Sequence, residues 1–142
     1  MKNYFSSTFK LGVLGGGQLG KMLLAETQKF DIYTCILDAQ KNAPCAEICN
    51  EFVHGDLMDF DTVYNFGKKV DLLTIEIEHV NIEALTKLEK EGLHVYPQPA
   101  VLKTIQHKGE QKDFFVNHDI PTAPYIRYEK KIDFLNEDLA FP

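Results

Sequence analysis

Between residues 9 and 96 the chain returns repeatedly to short, unbroken runs of apolar and β-branched side chains. These are Phe9-Lys10-Leu11-Gly12-Val13-Leu14, Ile32-Tyr33-Thr34-Cys35-Ile36-Leu37, Phe52-Val53-His54, Val70-Asp71-Leu72-Leu73-Thr74-Ile75 and Leu93-His94-Val95-Tyr96. A strand with one wet face alternates apolar with polar residues, whereas a continuous run is covered on both faces, as in a parallel sheet flanked by crossover helices. The intervening stretches carry helical spacing. Leu19, Met22, Leu23 and Phe30 recur on one face of residues 18–30, with Lys21, Glu26 and Lys29 elsewhere, and Phe60, Val63 and Tyr64 do the same within 59–69. Asn81 is placed to cap a helix through Ile82, Leu85 and Leu88. Strand and helix alternating with short connections predict an α/β, doubly wound, Rossmann-like parallel sheet over residues 1–98.

After Pro97-Gln98-Pro99 the character changes. A short helix from Ala100 to Gln106 leads to a more polar one from Lys108 to His118, and Ile120-Pro121-Thr122-Ala123-Pro124 reads as extended because each proline biases its predecessor away from helix. Tyr125-Ile126-Arg127-Tyr128 has the composition of a strand with no partner in the chain. Residues 99–142 are therefore expected to be linker helices and the truncated start of a second domain. The abrupt end at Leu139-Ala140-Phe141-Pro142, after an acidic helix-like stretch, is read as the front part of something longer.

Fifteen Lys and Arg against 21 Asp and Glu give a net charge of −6. That balance argues against nucleic acid as a partner, since phosphate binding needs a basic face. No apolar run approaches the ~20 residues of a membrane span, and the N-terminus lacks a signal-peptide core; a cytoplasmic protein is expected. Of the three cysteines, Cys35 lies in an apolar run and reads as core. Cys45 and Cys49, four apart, have only His54 near in sequence, so reduced structural thiols are expected and no metal site.

The run Gly15-Gly16-Gly17-Gln18-Leu19-Gly20 follows the first strand and opens the first helix, satisfying G-x-G-x-x-G in its proper setting. Glycine lets the backbone approach a phosphate, and the helix N-terminus offers unpaired N–H groups and a positive dipole. Asp38 ends the second strand about 20 residues further on, where a dinucleotide fold places its ribose-binding acid. The fourth strand runs into Glu76-Ile77-Glu78-His79-Val80. If the strand continues, Glu76 and Glu78 share a face at the C-terminal edge of the sheet, where open α/β folds bind ligands; if it ends at Ile75, both acids are solvated.

Val13-Leu14-Gly15-Gly16-Gly17-Gln18-Leu19-Gly20-Lys21-Met22, Leu37-Asp38, Gly55-Asp56, Glu76-Ile77-Glu78-His79-Val80 and Ile120-Pro121-Thr122-Ala123-Pro124 follow one another in order. Together they resemble the N-terminal part of the N5-carboxyaminoimidazole ribonucleotide synthetases, the ATPase subunits of phosphoribosylaminoimidazole carboxylase in the ATP-grasp superfamily, over residues 10–128. The resemblance implies a pre-ATP-grasp domain followed by the beginning of an ATP-grasp domain, in an ATP-dependent ligase of purine biosynthesis. Its glycine loop would serve the ribonucleotide rather than NAD, with Gln18, Leu19 and Glu76 at ribonucleotide-contacting positions; Asp38 and Glu78 join Gly15, Gly16, Gly17 and Gly20 as expected substrate-binding residues. Lys108 falls where the family has a basic residue near the ATP phosphates, although His107 departs from the usual Gln-Asp-Arg or Gln-Asp-Lys. The implied reaction joins ATP, bicarbonate and 5-aminoimidazole ribonucleotide through carboxyphosphate. Mg²⁺ would neutralise the phosphates, with the metal ligands and catalytic groups beyond Pro142, so this stretch alone would not turn over. A homodimer is implied as well.

Two alternatives stand beside this one: an NAD(H)-binding regulatory module using Asp38, as in potassium-transport gating domains, and a formate-dependent glycinamide ribonucleotide transformylase. The latter shares Glu-Ile-Glu but has Gly-Glu-Leu-Gly where this chain has Gln18. His54 and Asp56 are secondary candidates for the ligand crevice. His94 and His118 read as surface groups, Tyr125, Tyr128 and Phe134 as packing groups, and Glu129-Lys130-Lys131 as a solvated turn.

Overall fold

The computed structural model describes residues 8–128. The chain divides into two compact units, Met1–Gln106 and His107–Pro142. In the first unit the order is β1 (Lys10–Leu14), α1 (Gln18–Thr27) with a 3-10 turn at Gln28–Phe30, β2 (Tyr33–Asp38), β3 (Glu51–His54), α2 (Phe60–Gly67), β4 (Leu72–Ile75), α3 (Ile82–Lys90), β5 (His94–Tyr96) and α4 (Pro99–Gln106). All strand pairs are parallel, in the spatial order β3-β2-β1-β4-β5. The chain therefore builds outward from β1 to β3, then returns to the other side of β1 with β4. The reversal puts a topological switch point between β1 and β4, where Leu14 is in register with both Leu37 and Ile75.

Both faces of the sheet are covered, as the unbroken apolar runs require. Alternate side chains of β1 and β2 go to opposite sides: Leu14, Cys35 and Leu37 join Val63, Phe66, Leu85 and Leu88 of α2 and α3, while Val13 and Ile36 join Leu24 of α1 and Cys45. The two clusters are nearly free of polar atoms, and Leu14, Ile36, Leu37 and Leu73 are fully buried. Helices α2 and α3 start where side chains satisfy orphan N–H groups. Asp59 accepts from the Thr62 N–H and Asn81 from the Ala84 N–H, each at 2.8 Å, the latter as its sequence position predicts. Their close approach depends on Gly67, because a Cβ there would run into the Leu88 side chain.

Helix α1 forms where the periodicity places it, but its apolar stripe faces outward. Leu19, Met22 and Phe30 are each more than 60% exposed and Leu23 is at 37%; the buried side is Gly20, Leu24 and Thr27. Those residues recur at helical spacing on a face rotated away from the stripe, and two of them are small or polar. Gly20 lets the helix lie close to the loop that precedes it, and the Thr27 hydroxyl is satisfied by the Leu24 carbonyl at 3.0 Å. Periodicity thus locates the helix but not its inner face.

The second unit contains α5 (Lys108–Asn117), and residues 119–128 have no regular element, so the expected strand at Tyr125–Tyr128 does not form. Its side chains turn to α5 instead: the Tyr125 hydroxyl and Arg127 Nη1 both donate to Asp113, at 2.6 and 2.5 Å. Those bonds, Tyr125 first, hold the Asp113 carboxyl below its usual pKa. Phe134, Glu129-Lys130-Lys131 and the closing Leu139–Pro142 lie outside the described residues. Within those residues no helix is long and apolar enough to cross a membrane.

Two expectations test this packing. Leu24→Ala should cost about 2–5 kcal/mol in urea unfolding, while Met22→Ala on the outer stripe should stay within about 0.5 kcal/mol; equal effects would contradict the assigned face. Burial pushes the thiols of Cys35 and Cys45 up to about 11 from 9.0, with Glu51 and Cys49 respectively the next contributors. A raised folded-state pKa gives stability that is complete below the unfolded value and lost as pH rises through the folded one. Stability should therefore fall between pH 9 and 11. The fall should be shallower in Cys45→Ala, when urea midpoints are compared across that window.

Candidate functional site

The loops leaving the C-terminal ends of β1, β2 and β4 meet at the switch point, and backbone hydrogen bonds tie them together. The Gly15 N–H donates to the Leu37 carbonyl at 2.9 Å, and the Glu76 N–H donates to the Leu14 carbonyl at 2.8 Å. The Cys45 N–H donates to the Gly16 carbonyl at 3.0 Å, while Cys45 Sγ lies 3.7 Å from the Gly17 carbonyl. Gly15 has φ +100°, a conformation that L side chains rarely adopt.

Glu76 is half-buried against this loop. A Cβ built on Gly15 would come within 2.5 Å of Glu76 Oε2, and one on Gly17 within 3.2 Å of Oε1. The carboxylate therefore lies over the glycine run. β4 stops at Ile75, so Glu76 and Glu78 do not share a strand face; Glu78 and His79 are exposed. The structure brings Glu76 into the site and leaves Glu78 at its margin.

Asp38 is in the site, but both of its oxygens already accept backbone donors. Oδ2 takes the Gly16 N–H at 2.6 Å and Oδ1 the Gln40 N–H at 2.7 Å. The acid that a dinucleotide fold would turn towards a ribose here fastens the glycine loop to the end of β2. Gly15, Gly16 and Gly20 are buried and Gly17 partly so, which leaves Gln18 and Leu19 as the exposed residues of the run. They open α1, whose N-terminus has no side-chain cap, so its first N–H groups and positive dipole end are available to an anion. His54 Nε2 is 3.1 Å from the Ala39 carbonyl and Asp56 accepts from the Met58 N–H at 2.8 Å; both support local turns.

A further residue, whose role neither periodicity nor its place before His107-Lys108 reveals, is Gln106 at the end of α4. Its Nε2 donates to the carbonyls of Glu78 and Val80, at 2.7 and 2.8 Å. The three cysteines are unpaired thiols, and among the described residues no group of three or more His, Cys, Asp or Glu could hold a metal ion.

In the second unit Lys108 is the first residue of α5. His107 takes the N-cap place that an acid would fill: its Nδ1 accepts from the Glu110 N–H at 3.2 Å, which requires the ring proton on Nε2. Lys108 lines a cavity of about 550 Å³ with Lys112, Tyr125 and Arg127. The cavity thus gathers three cationic side chains, one of them partly neutralised by Asp113.

The ribonucleotide synthetase preATP-grasp domain family matches residues 8–106. Phosphoribosylaminoimidazole carboxylase of Candida albicans is 36% identical over 123 residues, covering 84% of this chain and 22% of that protein. The crystal structure of N5-carboxyaminoimidazole ribonucleotide synthetase from Thermotoga maritima superposes with a TM-score of 0.80 at 31% identity, over 89% of this chain and 35% of that one. N5-carboxyaminoimidazole synthase from Aspergillus clavatus, solved in complex with ADP and 5-aminoimidazole ribonucleotide, gives 0.74 at 34% identity, over 84% of this chain and 32% of that one. The chain thus spans between about a fifth and a third of the length of these relatives. With the sheet order, the glycine loop and the family match in agreement, the chain belongs to the ribonucleotide synthetase preATP-grasp family, and it corresponds to the N-terminal part of the N5-carboxyaminoimidazole ribonucleotide synthetases.

Proposed function

We propose that this chain supplies the ribonucleotide-binding end of an ATP-dependent ligase that carboxylates 5-aminoimidazole ribonucleotide with bicarbonate in de novo purine biosynthesis. The observation that carries the proposal is the Glu76 carboxylate lying over the glycine loop at the switch point. In a dinucleotide fold the pyrophosphate crosses that loop, and here the Glu76 carboxylate occupies that path over Gly15 and Gly17. A ribonucleotide presents both signs of polarity. Its phosphate suits the N–H groups opening α1 at Gln18 and Leu19, and its hydroxyls and amine are donors for Glu76. Asp38 then acts through the loop, holding Gly16 in the conformation that keeps those N–H groups together. The ligand content of the Aspergillus clavatus structure supports the same substrate.

Lys108 is proposed to meet the ATP phosphates, supported by its place at the start of α5 and by the cationic cavity it shares with Lys112 and Arg127. ATP, when bound, supplies the activation of bicarbonate. Mg²⁺, which phosphoryl transfer uses, finds no ligand cluster among the described residues, so no step through it is assigned to this chain. A cytoplasmic setting and a homodimer complete the proposal; sedimentation equilibrium should give twice the monomer mass, and a monomer mass would contradict the dimer.

Titration calorimetry with 5-aminoimidazole ribonucleotide tests the reading. The wild-type chain should bind, and Glu76→Gln should bind about tenfold or more weakly, the size of a lost charge-assisted hydrogen bond. Equal binding by the two proteins would overturn the role of Glu76. The chain alone should show no ribonucleotide-dependent ATP hydrolysis, and measurable turnover would contradict the division of labour proposed here.

A further inference from the structure

The loop that presents Glu76 is held by a side chain from outside the sheet. Its first residue is anchored by the Glu76 N–H on the Leu14 carbonyl, and just beyond its last residue the Asn81 N–H donates to the Leu57 carbonyl at 2.8 Å. Between these anchors the chain makes a tight turn, with the Val80 N–H on the Glu78 carbonyl at 3.0 Å. Gln106 reaches this turn from a position 28 residues along the chain, and its single Nε2 donates to both the Glu78 and the Val80 carbonyls. Both partners are carbonyl oxygens, so only the NH₂ end of the amide can satisfy them; the orientation of the side chain follows from chemistry. Helix α4, which carries Gln106, is itself fixed. Leu102 is 2% exposed and packs in the same core cluster as Val80, Leu85 and Leu88.

We infer that Gln106 is a positioning residue for the ribonucleotide site: its two N–H donors hold the Glu76–Val80 turn in the shape that keeps the Glu76 carboxylate over the glycine loop. The inference rests on the reading above, in which Glu76 meets the ribonucleotide. Gln106 makes no claim on the ligand itself. A side chain without donors removes both bonds, leaving the Glu78 carbonyl with the Val80 N–H alone and the part-buried Val80 carbonyl without its Gln106 donor, and a carboxylate there adds repulsion. A lysine, with three donors on one nitrogen, can still bridge the two oxygens.

The test compares Gln106→Glu, Gln106→Leu and Gln106→Lys with the wild-type chain by amide hydrogen exchange and by calorimetric titration with 5-aminoimidazole ribonucleotide. In the Glu and Leu variants, exchange at the Glu76 and Val80 amides should rise about tenfold or more, while the central amides of Val13 and Ile36 stay protected. The dissociation constant should rise by a similar factor, and Gln106→Lys should stay within about threefold of wild type in both measurements. The inference is overturned if exchange in the turn is unchanged in Gln106→Glu. It is also overturned if Gln106→Lys behaves like Gln106→Leu, or if affinity falls with no change in exchange, which would mark a direct ligand contact. Failure of the wild-type chain to bind the ribonucleotide would instead overturn the reading of the site, and the exchange comparison alone would then decide whether Gln106 holds the turn.

Discussion

A carboxylate lies against bare backbone where three strand ends meet, and the rest of the site is arranged around that contact. Glu76 can occupy its place only because Gly15 and Gly17 present no Cβ to it, and Gly15 also takes the left-handed turn that the path from β1 to α1 demands. Loss of side chains there leaves the loop without packing of its own. Its order comes from neighbours: Asp38 on the Gly16 N–H, the Cys45 N–H on the Gly16 carbonyl, and the Leu37 carbonyl on the Gly15 N–H. The β2 end is thus committed to building the glycine loop and the β4 end to supplying its charge. The parallel sheet order makes this possible, since only the β1–β4 junction places both loops on one crevice.

Most of the sheet is legible in the sequence because burial on both faces leaves an unbroken apolar run, and each of the five runs forms most of a strand. What periodicity leaves undecided is which side of an amphipathic helix meets the sheet. In α1 and the 3-10 turn after it the apolar stripe of Leu19, Met22 and Phe30 is outside, and the inner face of Gly20, Leu24 and Thr27 follows from close backbone approach rather than from hydrophobicity. Tyr125–Tyr128 has β-like composition but finds no partner strand among the described residues, and its Tyr125 and Arg127 side chains bond Asp113 instead.

At the site, the legible parts are those whose chemistry is local. The glycine run between a strand and a helix, and Glu76 at a strand end, can be read directly. Asp38 is found by its spacing, but its role follows from two backbone donors that no spacing reveals. Glu78 pairs with Glu76 only on a strand, and the strand ends at Ile75, before either acid. Gln106 matches the Gln of the Gln-Asp-Arg or Gln-Asp-Lys pattern, but its role is not legible there, because its bonds reach back 28 and 26 residues to main-chain carbonyls, groups that every residue possesses. His107 is the converse case: a departure from the family pattern whose Nδ1 caps α5.

The central claim is that the glycine loop under Glu76 is a ribonucleotide site and not a dinucleotide site. Backbone amide spectra of the ¹⁵N-labelled chain, titrated separately with 5-aminoimidazole ribonucleotide and with NADH, address it directly. The account predicts that the ribonucleotide shifts the amides of Gln18, Leu19, Gly20 and Glu76 and leaves those of β5 in place, while NADH moves none of them. Shifts at the same amides with NADH, and none with the ribonucleotide, would contradict it.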